Sequence, residues 1–313
     1  MRPTGRLGDK VRGLVSRFAA PVSAPTATAT TLPPEQGLFV IGAARSGTTV
    51  LQNALNHSPD IFLLGEPELH FDLGEPGFAA HYNAMHRGWS NQETKSSFLP
   101  PVAAEDGPLE THLARLGELY RWVGSKIVVN ARRDPSWDER MFAYHCRRFF
   151  QARYLFTFRD PLAVVGSTRS LQHATGTETD SARALIANYA EVVELYVRML
   201  RNLPHVRAVF HNDMGAATFA GLGDWLGVSL TGAEAYYDSA RVQAYSTAGL
   251  DEDETRLLDA LQALYADLRA LAAEGGARLP QLEQNDAVPK PGHYTPLGSI
   301  ARRARFLREA ARG

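Results

Sequence analysis

The sequence predicts an α/β fold: a three-layer sandwich with a central, mainly parallel sheet, helices on both faces and a glycine loop at its centre. Three observations predict it. Gly37 to Pro59, GLFVIGAARSGTTVLQNALNHSP, is an apolar run that breaks into glycines and resumes with helical spacing. Short runs of β-branched and aromatic residues then recur along the chain, separated by segments of helical period. At 313 residues, 44 % hydrophobic and 21 % charged, the chain is long enough for one full-sized core.

The first unit reads as strand, loop, helix. Phe39, Val40 and Ile41 suit a buried parallel strand, and Val50, Leu51, Ala54 and Leu55 recur at helical intervals after the loop. Between them Gly42-Ala-Ala-Arg-Ser-Gly47-Thr48-Thr49 has the glycine spacing of a P-loop, in which backbone amides and a helix N-terminus converge on an anion. A nucleoside-triphosphate loop would place Lys directly after the second glycine, and here that position is Thr48. The one cation in the loop is Arg45, so the anion has a different shape from an ATP tail.

Ala44-Arg45-Ser46-Gly47-Thr48-Thr49 resembles the (P/A)(K/R)SGTT loop of sulfotransferases that use 3′-phosphoadenylyl sulfate (PAPS). The Arg variant is similar to the branch containing tyrosylprotein, carbohydrate and many bacterial enzymes. The resemblance implies that Arg45, Ser46, Gly47, Thr48 and Thr49 hold the 5′-phosphosulfate of PAPS. The domain it implies runs over 36–285, with 1–35 as a basic extension and linker and 286–313 as a C-terminal loop and basic helix.

Composition narrows the class. A formal charge of −1 gives no general pull towards nucleic acid. Cys146 is the single cysteine, which precludes a disulfide framework within the chain and suits a reducing cytoplasm. No run of about 18 apolar residues is present to span a bilayer, and the N-terminus lacks the apolar core of a secretory signal.

Taken in order, Met1 to Ala20 sets Arg2, Arg6, Lys10, Arg12 and Arg17 around Leu7, Val11, Leu14, Val15 and Phe18. This is a weakly amphipathic basic helix, either solvated or docked on a membrane surface or partner, and Pro21 to Pro34 is linker-like. Ile61 to Leu64 reads as a second strand, delivering Gly65-Glu66-Pro67-Glu68-Leu69-His70-Phe71 to the ligand edge of the sheet. From there to about Pro108 the signals are irregular, as in a substrate-contacting insertion or a surface one. Leu109 to Val123 has a helical stripe, and Ser125 to Asn130 is a strand entered at Lys126. With four lysines against 29 arginines in the chain, a lysine there is conspicuous. It is a loose match to a GxKxP-like sulfate contact of the resembled family, with the proline absent.

Trp137 to Phe150 is a further helix, and Tyr154 to Phe158 a buried strand ending in Arg159-Asp160-Pro161, with the proline placed to open a helix. Ser167 lies eight residues after Arg159. This segment resembles the 3′-phosphate-binding segment of sulfotransferases, which implies a forked donor from Arg159 and a hydroxyl from Ser167; an ion pair between Arg159 and Asp160 is the plainer alternative. Arg133-Asp134-Pro135 repeats the tripeptide, but Met141 stands where the serine would, so it is read as a turn. Ser181 to Asn202 is a long helix with an apolar stripe, Val206 to Phe210 a strand, and His211-Asn212-Asp213-Met214 a turn in which Asp213 is an N-cap. Phe219 to Leu226 and Asp251 to Ala273 are helices. Lys290, His293 and Tyr294 fall in a loop where relatives close over the cofactor. Ile300 to Arg312 is a second basic helix, read as a solvated face with docking to an acidic partner or anionic lipid as its other use.

The resemblance implies in-line transfer of a sulfuryl group to a hydroxyl or amine of a carbohydrate or small natural product, without a metal. Charge at the transferring group would be stabilised by Arg45 and Lys126. The acceptor's proton would go to one of three groups. Pro67-Glu68-Leu69-His70-Phe71 resembles a carbohydrate-sulfotransferase segment whose glutamate is the base, which puts Glu68 first; Glu66 matches a GEP acid of bacterial members, and His70 fits a cytosolic-type mechanism. The histidines at 81, 86, 145, 205 and 211 show no metal-ligand spacing. A small-metabolite kinase and a non-catalytic nucleotide-binding relative are the rival readings.

Overall fold

The structure is a computed structural model and describes residues 31–66, 109–130, 137–237, 243–275 and 296–313. Five strands, β1 (Gly37–Ala43), β2 (Ile61–Gly65), β3 (Trp122–Val129), β4 (Arg153–Phe158) and β5 (Val206–Phe210), form one sheet in the order β2-β3-β1-β4-β5. Every pairing is parallel. Nearly all the strand residues are buried because helices cover both faces, which is why the strands read as continuous apolar runs rather than alternating ones.

The two-residue period of a strand divides these runs between two cores. Phe39, Ile41, Phe62, Leu64, Val123, Tyr154, Phe156 and Phe158 enter the larger one. It is covered by α2 (Leu109–Leu119), α3 (Trp137–Arg148), α5 (Ala182–Asn202), α7 (Glu252–Gly275) and α8 (Pro296–Arg312). Leu38, Val40, Ile61, Leu63, Leu155 and Val209 enter the smaller, beneath α1 (Thr48–Asn56) and α6 (Ala216–Leu226). The remaining helix, α4 (Pro161–Thr175), leaves the carboxyl end of β4. The three-layer α/β sandwich is therefore as the patterning predicts. The order places β1 at the centre, with consecutive connections leaving to opposite sides. That reversal opens a crevice at the carboxyl ends of β1, β3 and β4.

Several local expectations are corrected. The helix predicted to run to Val123 stops at Leu119, and Trp122 and Val123 open β3 instead. The Trp122 amide donates to the Asp60 carbonyl at 3.0 Å and Val123 pairs with Phe62, so the ladder overrides the helical stripe. Asp213 is not a cap: α6 begins behind Gly215, and the Asp213 carboxylate pairs with Arg269 on α7. Asp251 does cap, since its carboxylate accepts from the Glu254 amide at 2.7 Å while Glu254 accepts from the Asp251 amide at 3.2 Å, a reciprocal capping box.

The largest correction concerns the C-terminal basic helix, which is not solvated all round: Arg302, Arg305 and Arg312 are exposed, but its other face is packed and most of its arginines are paired within the chain. It packs along α5 and α7, burying Leu297, Ile300, Ala304, Leu307 and Ala311. Its cations are engaged by acids of the same chain: Arg303 with Asp267, Arg308 with Glu194 at 3.4 Å and Arg312 with Glu191 at 2.9 Å. Burial pushes the Glu191 and Glu194 carboxyls up, with these guanidiniums acting against it. The N-terminal basic helix, the Arg133-Asp134-Pro135 turn and the loop with Lys290, His293 and Tyr294 lie outside the described residues. No helix among the described residues is long and apolar enough to cross a membrane.

Candidate active site

The glycine loop sits at the carboxyl end of β1 and is tied to both neighbouring strands. The Ala44 amide donates to the Val129 carbonyl of β3 at 3.3 Å. On the other side the Ser46 hydroxyl meets the Thr157 hydroxyl of β4 at 2.8 Å, both fully buried. Ser46 also donates its amide to the Ala43 carbonyl at 3.1 Å, which makes it a strut of the turn. Arg45 and Gly47 have positive φ of 66° and 102°, and this winding turns the chain from strand into α1. The first i→i−4 bond of α1 runs from Leu51 to the Gly47 carbonyl at 3.0 Å, so the amides of Thr48, Thr49 and Val50 precede the helical ladder and form the anion-facing end. A side chain at Gly47 has no room, because its Cβ would lie 2.6 Å from Cδ2 of His211.

Arg159 arrives at the same place from β4. The Tyr189 hydroxyl holds its carbonyl at 2.7 Å, and the Asp160 carboxylate caps α4 by accepting from the Ala163 amide at 3.0 Å. Asp160 is thus spent on the helix rather than on the plainer ion pair. Arg159 donates to the Arg45 carbonyl at 3.3 Å, and Arg45 Nε donates to the Ser167 hydroxyl on α4 at 3.0 Å. The two segments read separately from the sequence therefore meet through Arg45. Arg159 is 8 % exposed and its Nε has no partner. Burial holds this guanidinium below its ordinary pKa, and Arg45 beside it acts in the same direction. Among the described residues no carboxylate pairs with Arg45 or Arg159, although the chain pairs many of its other arginines. Two convergent guanidiniums with an orphaned buried N–H fit a phosphate-bearing ligand.

Lys126 is 2 % exposed on β3, beside the loop. Its ammonium donates to the Thr49 hydroxyl at 2.9 Å and pairs with the Glu66 carboxylate at 2.7 Å. Glu66 follows β2 directly, with φ of 53° and its amide donating to the Lys126 carbonyl at 3.2 Å. The register Gly65 opposite Lys126 explains the meeting: parallel pairing delivers the residue after β2 to the lysine on the adjacent strand. A buried ammonium requires such partners. Of the sequence-predicted site residues, the structure gathers Arg45, Ser46, Gly47, Thr48, Thr49, Lys126, Arg159, Ser167 and Glu66 around one crevice. Glu68 and His70 lie outside the described residues.

Four residues of this site went unrecognised in the sequence. Thr157 is the one aliphatic hydroxyl in the Tyr154–Phe158 run, a signal legible in the sequence. His211 packs against Gly47 and sets its ring against Tyr237 with centroids 5.1 Å apart. Burial, with Arg159 contributing, pushes its imidazole below the usual range. Tyr245 covers Gly166, where a Cβ would meet its ring at 2.3 Å, and so lies beside Ser167. Nothing periodic marks the segment that carries Tyr245.

The profile described as the sulfotransferase family matches residues 37–214, more than half of the chain and the span that holds the glycine loop, Glu66, Lys126, Arg159 and Ser167. Among solved structures, the chain is similar to the sulfotransferase domain of an olefin synthase from Synechococcus, at 15 % identity and TM-score 0.48, over 79 % of this chain and 98 % of that one. It is similar to a sulfotransferase from Mycobacterium avium at 15 % identity and TM-score 0.44, over 83 % and 80 % of the two chains. A sulfotransferase from Alicyclobacillus acidocaldarius matches at 19 % identity and TM-score 0.40, over 75 % and 94 %. No protein of curated function matches the sequence. With a P-loop that carries arginine in place of the triphosphate lysine, joined to an arginine–serine pair on the next strand and helix, the chain belongs to the sulfotransferase family.

Proposed function

We propose that this sulfotransferase takes the sulfuryl group of PAPS and passes it to a hydroxyl or amine of a carbohydrate or small natural product, releasing adenosine 3′,5′-bisphosphate (PAP). The observation that carries the reading is the junction of Arg159, Arg45 and Ser167, one cationic cradle assembled from two distant segments. When bound, the donor supplies an already activated sulfuryl group on a phosphate leaving group. The protein's task is then positioning and charge stabilisation. The amides of Thr48 and Thr49 and the Arg45 guanidinium hold the 5′ end, and Arg159 with Ser167 holds the 3′-phosphate. Lys126, fixed by Thr49 and Glu66, places a positive charge where the leaving phosphate gains negative charge. The ion pair engages Glu66 in holding that lysine, which favours Glu68 as the group that accepts the acceptor's proton, with His70 two residues further on as the alternative.

The test separates binding from transfer in Glu68→Gln, Glu66→Gln and His70→Asn, using calorimetry with PAP and transfer of labelled sulfate from PAPS to acceptor pools. Glu68→Gln is expected to bind PAP as the parent does and to lose about 10²–10⁴-fold in transfer. Normal transfer by that variant would reject Glu68 as the base. PAP binding with no transfer by the parent to any pool would instead favour a non-catalytic relative. Magnesium-dependent ATP binding in place of PAP binding would overturn the reading altogether.

A further inference from the structure

The opposite end of the sheet holds three arginines that the transfer chemistry does not use. Trp122 opens β3, Arg153 opens β4 and Arg207 is the second residue of β5, so all three lie at the amino-terminal edge. The six residues from Arg153 to Arg159 set this edge about 20 Å from the cradle at strand rise. Here two indoles are shared by three guanidiniums. Arg153 lies 4.2 Å from the Trp122 ring centre and 5.4 Å from that of Trp225 on α6. Arg207 lies 4.6 Å from Trp225, and Arg121 6.0 Å from Trp122.

The group is built rather than incidental. Trp122 is held by its indole N–H donating to the Leu226 carbonyl at 2.9 Å. Arg121 donates to the Gly227 carbonyl at 2.5 Å, and only a glycine lets it lie there, since a Cβ at 227 would meet Nη2 at 2.7 Å. Cation–π attraction explains why each guanidinium rests on an indole. It does not explain why three cations are gathered without a counter-charge. Among the described residues no carboxylate pairs with Arg121, Arg153 or Arg207, whereas Arg183, Arg198, Arg269, Arg303 and Arg312 all meet one. Arg153 Nε is buried without a partner. Burial holds Arg153 below its ordinary pKa, and Arg121 and Arg207 push it the same way; His205 is lowered by burial and by Arg153. A guanidinium resting on a ring retains in-plane N–H donors that an oxyanion can take up, and Arg121 spends one of its five on the Gly227 carbonyl.

We propose that Arg121, Arg153 and Arg207, spaced by Trp122 and Trp225, form a second anion site at the amino-terminal edge of the sheet that binds a tetrahedral dianion, inorganic phosphate or sulfate. Three neighbouring guanidiniums with no carboxylate partner among the described residues match a compact doubly charged oxyanion. They match a monovalent halide poorly, since it accepts few directed hydrogen bonds and neutralises only one charge. This site is independent of the transfer reaction and of the identity of its donor.

The test is thermal unfolding of the full chain in sodium phosphate, sodium sulfate or sodium chloride at equal ionic strength, on the parent and on Arg207→Gln, Arg121→Gln and Arg159→Gln. Phosphate and sulfate are expected to raise Tm saturably over chloride, because a ligand that binds only the folded state stabilises it by mass action. The rise should persist in Arg159→Gln. In Arg207→Gln and Arg121→Gln the anion concentration giving half the rise should increase about tenfold or more, the loss of one charged hydrogen-bond donor. Arg121 is exposed, so its variant carries the test if Arg207→Gln does not fold. The proposal is overturned if chloride acts equally, or if the effect vanishes in Arg159→Gln and survives in the other two, since the anion would then occupy only the cradle at the loop.

Discussion

The strut between Ser46 and Thr157 offers the sharpest test of how the loop is held. The two hydroxyls lie 2.8 Å apart, both side chains are fully buried, and among the described residues each is the other's only side-chain hydrogen-bond partner. Thr157→Val keeps the shape of the side chain but strands the Ser46 hydroxyl in a dry site, which costs about 1–3 kcal/mol. Ser46→Ala strands the Thr157 hydroxyl on the same scale. The double variant strands neither, so it should be destabilised by less than the sum of the singles, with a coupling of about 1–2 kcal/mol. Urea unfolding followed by fluorescence measures all four chains, and equal m-values confirm that the same surface is being exposed. A coupling below about 0.5 kcal/mol, the scatter expected of independent sites, would show that the two hydroxyls do not act as one unit. In the same proteins, calorimetry with PAP reports on function. If the strut positions the loop amides, Thr157→Val weakens PAP although it touches no ligand atom, and unchanged affinity would mean that β1 alone holds the loop.

Three further outcomes follow from the geometry. Gly47→Ala combines a left-handed φ of 102° with a contact of 2.6 Å to His211, and should cost about 2–4 kcal/mol in urea unfolding; a loss under about 0.5 kcal/mol would show that His211 yields freely. His211 is held below the ordinary imidazole pKa of 6.5, so on acidification the unfolded chain takes its proton first. Its contribution is therefore complete above pH 6.5 and is lost as pH falls from there through the lower folded value. His211→Gln should make the stability profile shallower over that interval, and an unaltered slope would refute the assignment. At the C-terminal helix, Ile300→Ala and Leu307→Ala should each cost about 2–4 kcal/mol, whereas Arg303→Ala, which breaks an exposed pair, should cost less than about 1 kcal/mol. The reverse ranking would mean that the charges, not the apolar face, dock the helix.

By itself the sequence determined whatever is written in consecutive residues. Apolar runs of strand length gave every strand of the described sheet, because a buried parallel strand has no water-facing side to interrupt it. Ala44 to Thr49 disclosed the loop because its function uses the backbone, and only glycine at 47 tolerates that winding. Arg159 and Ser167 were legible because strand, turn and helix hold them at a fixed separation in the chain. The tertiary structure decided everything that depends on which strand lies beside which. Lys126 meets Glu66 and Thr49 through the pairing of β3 with β2 and β1, across gaps of many residues. Thr157 braces Ser46 and His211 backs Gly47 for the same reason. The C-terminal helix shows the limit most plainly. Its arginines read as a face for solvent or a partner, because sequence records the charge of a side chain and not the carboxylates that folding brings opposite it.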